Sequence, residues 1–402
     1  MESGNYFLGM RLPSLPSLDA LGALGPFGRR NAVPLAILLL LCSPQRLLRR
    51  HKPPPPTLDV LTVPEERLLA LSTEALVDAG LGAEPAALVA ASLVAAQRDG
   101  RESHGLGRLP AVARSLREGR VSASAKPALR RGGPRGVVRV DAGGGLVQPA
   151  LALALPELAR AARRCGVACL ALDRVGGIVG SLAGPLEALA AEHGLVAFAC
   201  CNSPALMAAH GGKNRVFGTN PLGFGWPRAD AEGSPPLVVD LATAAVARGE
   251  LQALQRRGLK LPAGAALTSA GEPTTDAALG LAGAQLPFGG HKGSALALVV
   301  ELLSAGLCGT DLAIDAPTKD ECGAQMNRGL FFWAVDPAAF GGADALAAGE
   351  RLIARLRAEE GVRLPSDARH AARAAAAARG GIEVSAAVLE ECFGPGILQT
   401  TL

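Results

Sequence analysis

The sequence predicts an α/β protein, and three observations carry that prediction. Segments with helical apolar spacing alternate with short β-branched runs along most of the chain. An apolar fraction of 49% against 19% charged residues describes a folded globular protein. The 402 residues suffice for one large domain or two to three smaller ones, with ample apolar sequence for a core. Aromatics make up only 3%, so that core has to come from Leu, Val and Ala.

Taken in order, residues 1–59 stand apart. They hold the apolar run "AVPLAILLLLC" (32–42), a basic cluster of Arg29, Arg30, Arg46, Arg49, Arg50 and Lys52, and the linker-like "KPPPP" (52–56). The run is too short to span a bilayer, which takes about 20 residues. Three readings stay open: the core of a signal sequence, part of a transit peptide, or a start codon set too early. The catalytic region is accordingly expected off the membrane, in the cytoplasm, or in an organelle if the extension is a transit peptide.

From residue 60 the pattern is globular. "PEERLLALSTEALVDAGLG" (64–82) and "EPAALVAASLVAAQRDG" (84–100) read as helices with glycine stops. Next comes "RESHGLGRLP" (101–110), a loop or a helix start, and the helix "LPAVARSLREG". "VVRVDAGGG" (137–145) and "VACLALD" (167–173) read as strands around a helix at 149–166. "GPLEALAAEHG" (184–194) leads into the strand "LVAFACC" (195–201), and 235–251 is a strand running into a helix. "KGSALALVVELLSAGLCG" (292–309) is apolar all round and predicts a buried helix.

The net charge of +4 is small, its basic excess lies largely in the first 52 residues, and no basic stripe is interleaved with aromatics. Nucleic acid is therefore not an expected partner. The eight cysteines lack the paired spacing of a zinc site and read as free thiols in a reducing compartment; no metal is expected. No GxGxxG follows a strand and no GxxxxGK[ST] occurs. Three glycine-rich stretches do look like anion cradles: "GGIVGSLAG" (176–184), "HGGKNRVFGTNP" (210–221) and "PFGGHKGS" (287–294). The last places a Lys at a helix N-terminus, where free amides and the helix dipole favour an anion, although a simple helix-start turn explains it equally.

"SHGLGRLP", "FGTNPLGFGWPR" (217–228), "VVDLATAAVARGE" (238–250), "GEPTTD" (271–276) and "LPFGGHKGSALALVVELL" (286–303) occur in that order. Together, over residues 60–390, they resemble the malate/L-lactate dehydrogenase family of NAD(P)-dependent oxidoreductases. Within it the phrases "RLP", "GFGWPR" and "LPFGGHKGSA" are most similar to the Δ1-piperideine-2-carboxylate/Δ1-pyrroline-2-carboxylate reductases. The resemblance implies a non-Rossmann, L-sulfolactate/malate dehydrogenase-like α/β fold, with a large sheet domain for the cofactor and flanking helical elements, assembled as a homodimer. It divides 60–392 into an N-terminal helical part (60–140), a cofactor-binding part (141–310) and a C-terminal part (311–392) that packs back on the first. It implies NADPH, or NADH, as cofactor and a small-molecule substrate, a cyclic 2-imino acid reduced to L-pipecolate or L-proline.

Family roles then carry over onto Ser103, His104 and Asp240 as the catalytic set, with Arg108 for the substrate carboxylate. The residue types suit the chemistry. An imine that accepts hydride must finish with a proton on nitrogen, and a histidine titrating near neutrality can donate it. A carboxylate can orient that ring, and an arginine four residues on would share its face if the segment were helical. Cofactor-lining candidates are Gly176, Gly177, Ile178 and Gly180; Thr219, Asn220 and Pro221; Arg228, for a 2′-phosphate; and His291, Lys292 and Gly293.

The sequence departs from the family in one place of consequence. A motif of the form "sHHFg" usually follows the strand matched by "VACLALD"; here that place reads "DRVGGIVGSLAG", with Gly177 or its neighbour where the histidine stands. Leu146 also replaces the branch's usual aromatic. The lost histidine weighs against a 2-hydroxy-acid dehydrogenase of the same family, the first alternative, and favours a degenerate, non-catalytic cofactor-binding protein, the second. A serine hydrolase is disfavoured, since Ser103 and His104 are adjacent and no GxSxG elbow surrounds the serine.

Overall fold

A computed structural model describes residues 59–229, 234–316 and 326–401. The chain divides between Thr57 and Leu58, and the N-terminal extension read from the sequence, Cys42 included, lies outside the described residues, as does Cys322.

β1 (Val60–Val63) precedes α1 (Glu65–Asp78) and α2 (Ala83–Arg98), the two helices that the apolar spacing predicts. Leu68, Ser72 and Leu76 recur every fourth residue on the buried face of α1. α3 (Leu109–Arg117) starts with proline in its first turn, where no amide is missed. β2 (Ala128–Leu129), β3 (Val137–Asp141), α4 (Val147–Cys165), β4 (Val167–Val175), α5 (Ala183–Ala191) and β5 (Val196–Cys201) follow. Then come short strands and one helix: β6 (Met207–Ala208), β7 (Arg215–Phe217), β8 (Leu222–Trp226), β9 (Leu237–Leu241), α6 (Arg248–Arg256), β10 (Ala266–Leu267) and β11 (Pro273–Thr274). The rest comprises α7 (Ala277–Ala282), β12 (Ala284–Gln285), α8 (His291–Glu301), β13 (Arg328–Val335), α9 (Gly342–Arg357), α10 (Asp367–Arg379), β14 (Ile382–Ser385), α11 (Ala386–Phe393) and α12 (Ile397–Thr401).

The main sheet has the order β2-β3-β4-β13-β5-β8-β9. Only β3 and β4 are parallel neighbours; the other pairs are antiparallel. A sheet of this kind is not doubly wound, which accords with the missing dinucleotide fingerprint. Its core gathers Leu158, Leu170, Leu172, Leu186, Leu189, Leu195 and Phe332, all fully buried; each large apolar side chain so placed contributes about 1.5–3 kcal/mol. β13 is one of the strands that sequence pattern does not announce. "RGLFFWAV" has no alternation because it runs between β4 and β5 with both faces covered. It comes from the C-terminal third, which also returns β14 to pair with β1. A smaller sheet runs β11-β10-β12-β6-β7.

One expectation is corrected here. α8 is not buried all round: Gly293, Ala297, Val300 and Glu301 face inward. Leu296, Leu298 and Val299 are exposed at 38%, 48% and 47%, and Leu302 and Leu307 beyond them at 56% and 66%. The helix is apolar on two faces, and this chain covers only one. No helix among the described residues is long and apolar enough to cross a membrane.

Candidate active site

The site begins where α2 stops. Asp99 caps the helix, Gly100 turns the chain at φ 70°, and two 3-10 turns follow, Glu102–His104 and Leu106–Arg108, broken at Gly105. The helical spacing that would align Arg108 with His104 is therefore absent. Arg108 arrives beside the pair by another route, its Nε donating to the Ser103 carbonyl oxygen at 2.6 Å. Ser103 Oγ lies 3.0 Å from His104 Nδ1. The first turn of α6 presses on this loop: a Cβ at Gly249 would lie 2.6 Å from Ser103 Cβ and 2.7 Å from Arg108 Nη2. Only a glycine leaves room there, a constraint that the motif "ARGE" does not disclose.

Asp240 stands near the end of β9. Its Oδ2 accepts from Ser181 Oγ at 2.6 Å and from Ala183 N at 3.2 Å. The carboxylate thus caps the first turn of α5, not α6, which follows it in sequence, and is fixed from the side of the glycine-rich loop. Burial pushes the His104 pKa below its ordinary 6.5; the Asp240 charge opposes that, and Arg108 and Arg101 reinforce it. The structure therefore brings Ser103, His104, Arg108 and Asp240 into one electrostatic neighbourhood. A cleft of about 320 Å³ opens between α2 and α5, with Asp99, Ser181, Glu187 and Arg373 among its walls.

The loop after β4 is bound through its glycines and open beyond them. Gly176 N donates to Gly145 O at 2.8 Å, and the Gly177 carbonyl accepts from the buried Arg328 Nη1. The amides of Ile178, Val179 and Gly180 meet no protein acceptor among the described residues. Consecutive unpaired amides beside Asp240 fit a polar or anionic cofactor group. Thr243, fully buried three residues after Asp240, gathers the other stretches. Its N and Oγ1 both reach Thr219 O at 2.9 Å, and its carbonyl accepts from Phe288 N at 3.0 Å. That last bond holds the turn ahead of α8, where Gly289 and Gly290 have φ of 57° and 61°, His291 and Lys292 are exposed, and Gly293 is buried. His210 packs edge-on against His291 at 6.0 Å, joining the second and third cradles.

Three candidates have other work. Asn220 is buried and donates to Ala297 O and Glu301 Oε2 at 3.0 and 2.7 Å, while the Pro221 carbonyl accepts from Cys201 N. Both brace the scaffold. Arg228 is already engaged: its Nε and Nη2 bind both oxygens of Glu350 on α9 at 2.7 and 2.6 Å, so a 2′-phosphate there would have to displace a bidentate carboxylate. Ser181, Thr243 and Gly249 are the positions that sequence reasoning missed; each lies inside a quoted stretch, Ser181 in "GGIVGSLAG" and the other two in "VVDLATAAVARGE", and that was the hint available.

The sheet is not of the Rossmann type, and beside it lie a histidine within the field of a carboxylate and a run of open amides. The chain belongs to the malate/L-lactate dehydrogenase family, which it matches over residues 63–392, and is a nicotinamide-dependent oxidoreductase acting on a small molecule. It is 45% identical over 308 residues to the Δ1-pyrroline-2-carboxylate/Δ1-piperideine-2-carboxylate reductase of Pseudomonas aeruginosa, covering 75% of this chain and 90% of that relative. It is 40% identical over 306 residues to the NADP(+)-linked (2R)-3-sulfolactate dehydrogenase of Chromohalobacter salexigens, covering 75% and 89%. The crystal structure of Δ1-piperideine-2-carboxylate reductase from Pseudomonas syringae pv. tomato superposes with a TM-score of 0.76 at 40% identity, covering 83% of this chain and 99% of that one.

Proposed function

We propose that the chain is an NADPH-dependent reductase of cyclic 2-imino acids, converting piperideine-2-carboxylate and pyrroline-2-carboxylate to L-pipecolate and L-proline. The observation that carries the reading is the hydrogen-bonded Ser103–His104 pair held within the field of Asp240. Bound nicotinamide supplies hydride to the C=N carbon, and the ring nitrogen then needs a proton. Ser103 engages His104 Nδ1, so Nε2 is the nitrogen that gives this proton. The Asp240 charge keeps the buried ring protonatable, and Arg108 takes the substrate carboxylate. Ile178 and Gly180 offer amides to the cofactor, and Lys292 offers it positive charge, with the His291 ring beside it; Arg228 has no part in this. The NADP(+)-linked relative supports NADPH over NADH.

The same relative favours one other reading, a 2-hydroxy-acid dehydrogenase, against which stands the glycine at 177. Full-length protein with NADPH and freshly generated piperideine-2-carboxylate separates the two, followed by loss of the cofactor's near-ultraviolet absorbance. Turnover that falls at least about 100-fold in His104→Ala is the expected result. A folded parent that ignores cyclic imines sinks the reading; sulfolactate or malate oxidation would then establish the second, and silence with both the non-catalytic one.

The exposed apolar side chains of α8 and of the turn beyond it, Leu296, Leu298, Val299, Leu302 and Leu307, support a homodimer, since monomers rarely gather exposed apolar groups in one patch. Sedimentation of the parent and of Leu302→Glu tests it: a dimer that the substitution splits is expected, and a monomeric parent overturns the assignment.

A further inference from the structure

His104 follows the end of α2, and Asp240 is fastened to the start of α5. A single side chain from a third helix touches both walls. Arg373 on α10 gives its Nε and Nη2 to the two oxygens of Asp99, both at 2.7 Å. Its Nη1 and Nη2 also reach the two oxygens of Glu187, the latter at 2.6 Å. Asp99 is the buried cap of α2, five residues before His104, and Glu187 lies one turn into α5 from Ala183. Arg369, one turn earlier on α10 and only 4% exposed, brings its Nε to 3.6 Å from Asp99 Oδ2 and adds a second positive charge. Glu187 first, and Asp99 after it, hold the Arg373 guanidinium protonated well beyond its ordinary range.

We infer that Arg373 is a positioning residue, whose guanidinium ties Asp99 to Glu187 and so sets the separation between His104 and Asp240. The planar fork is the reason for arginine. Its separate edges bind two carboxylates at once, which an ammonium cannot do in a fixed geometry. Displacing a reacting group by about 1 Å can cost about 100-fold in rate, so a strut that fixes the spacing of two walls has leverage on turnover. The inference rests on the roles given above to His104 and Asp240.

The test uses the full-length chain with Arg373→Met, Arg373→Lys, Glu187→Gln and the Arg373→Met/Glu187→Gln double variant. Turnover of cyclic imine should fall about tenfold or more in Arg373→Met and less in Arg373→Lys, with KM for NADPH within about twofold of the parent. The double variant should be no slower than Arg373→Met, because both changes cut one tie. Unchanged turnover in a variant that merely melts earlier overturns the inference, as do single losses that multiply in the double. Should Arg373→Met fail to fold, unchanged turnover in both Arg373→Lys and Glu187→Gln has the same force. Amide hydrogen exchange gives a readout without catalysis. Residues 101–108 and 181–187 should exchange faster together in the variants while β4 and β13 do not; independent behaviour of the two segments refutes the strut. A parent inactive on imines whose two segments still respond together would fail the functional reading alone.

Discussion

Replacing Gly176 by alanine asks whether the loop that lacks the family's histidine is a built element or a relic. A Cβ at 176 would lie 2.7 Å from the carbonyl oxygen of Gly144 and 3.4 Å from its carbon. That oxygen is not at liberty to swing aside. It accepts from Ser122 N at 3.0 Å, Gly144 N donates to Arg174 O at 2.8 Å, and Gly176 N donates to Gly145 O at 2.8 Å. Relief comes only by parting the two loops. Overpacking strain of about 1–3 kcal/mol then adds to the loss of one such bond at about 1 kcal/mol, roughly 2–4 kcal/mol together. At Gly177 the obstacles are methyl groups, Leu146 Cδ2 at 3.1 Å and Val121 Cγ2 at 3.2 Å, which can yield slightly. Its φ of 69° is the main penalty there, about 1–2 kcal/mol for a side chain. Urea unfolding of the parent and of Gly176→Ala and Gly177→Ala measures both costs. A smaller loss at 176 than at 177, or two losses below about 0.5 kcal/mol, refutes the steric account. A loss below about 0.5 kcal/mol at 177 would also refute the corollary that a histidine cannot be put back there without strain.

Three further outcomes follow from the site. Asp240→Asn keeps an acceptor for Ser181 and Ala183 but removes the charge that raises the His104 pKa, so the basic limb of kcat/KM should move to lower pH; a limb that stays or moves up contradicts the electrostatics. Gly249→Ala drives a methyl into Ser103 and Arg108 and should lower turnover by about tenfold or more, measured at a temperature where the variant is still fully folded; unchanged turnover contradicts the contact. His104 and His370 are both held below 6.5 by burial. Their folded forms bind fewer protons than the unfolded chain, so their contribution is complete above 6.5 and is lost as pH falls through the folded values. Stability should therefore decline below that pH, less steeply in His104→Ala, and equal slopes in the two proteins would clear His104 of any share.

Much of this protein was legible in one dimension because its signals are local. Helical spacing with glycine stops gave α1, α2, α4 and α5, and the apolar runs gave β3, β4 and β5, since those patterns depend only on which face meets a core. The ordered motifs named the chemistry and the residues Ser103, His104 and Asp240. Tertiary packing decided what depends on partners distant in the chain. β13 is doubly covered, so its pattern carries no strand period. α8 has an apolar face that this chain leaves bare, and hydrophobicity alone does not say which apolar face goes inward. Arg108 reaches Ser103 through a 3-10 turn rather than by helical spacing, and Arg228 is claimed by Glu350, 122 residues away. The sequence by itself thus gave the kind of chemistry and candidate groups for it, because ordered local motifs carry the resemblance to a family. Only the tertiary structure determined where Asp240 is anchored, what crowds Gly176 and which carboxylates Arg373 joins, because each is a distance between segments that the order of residues does not contain.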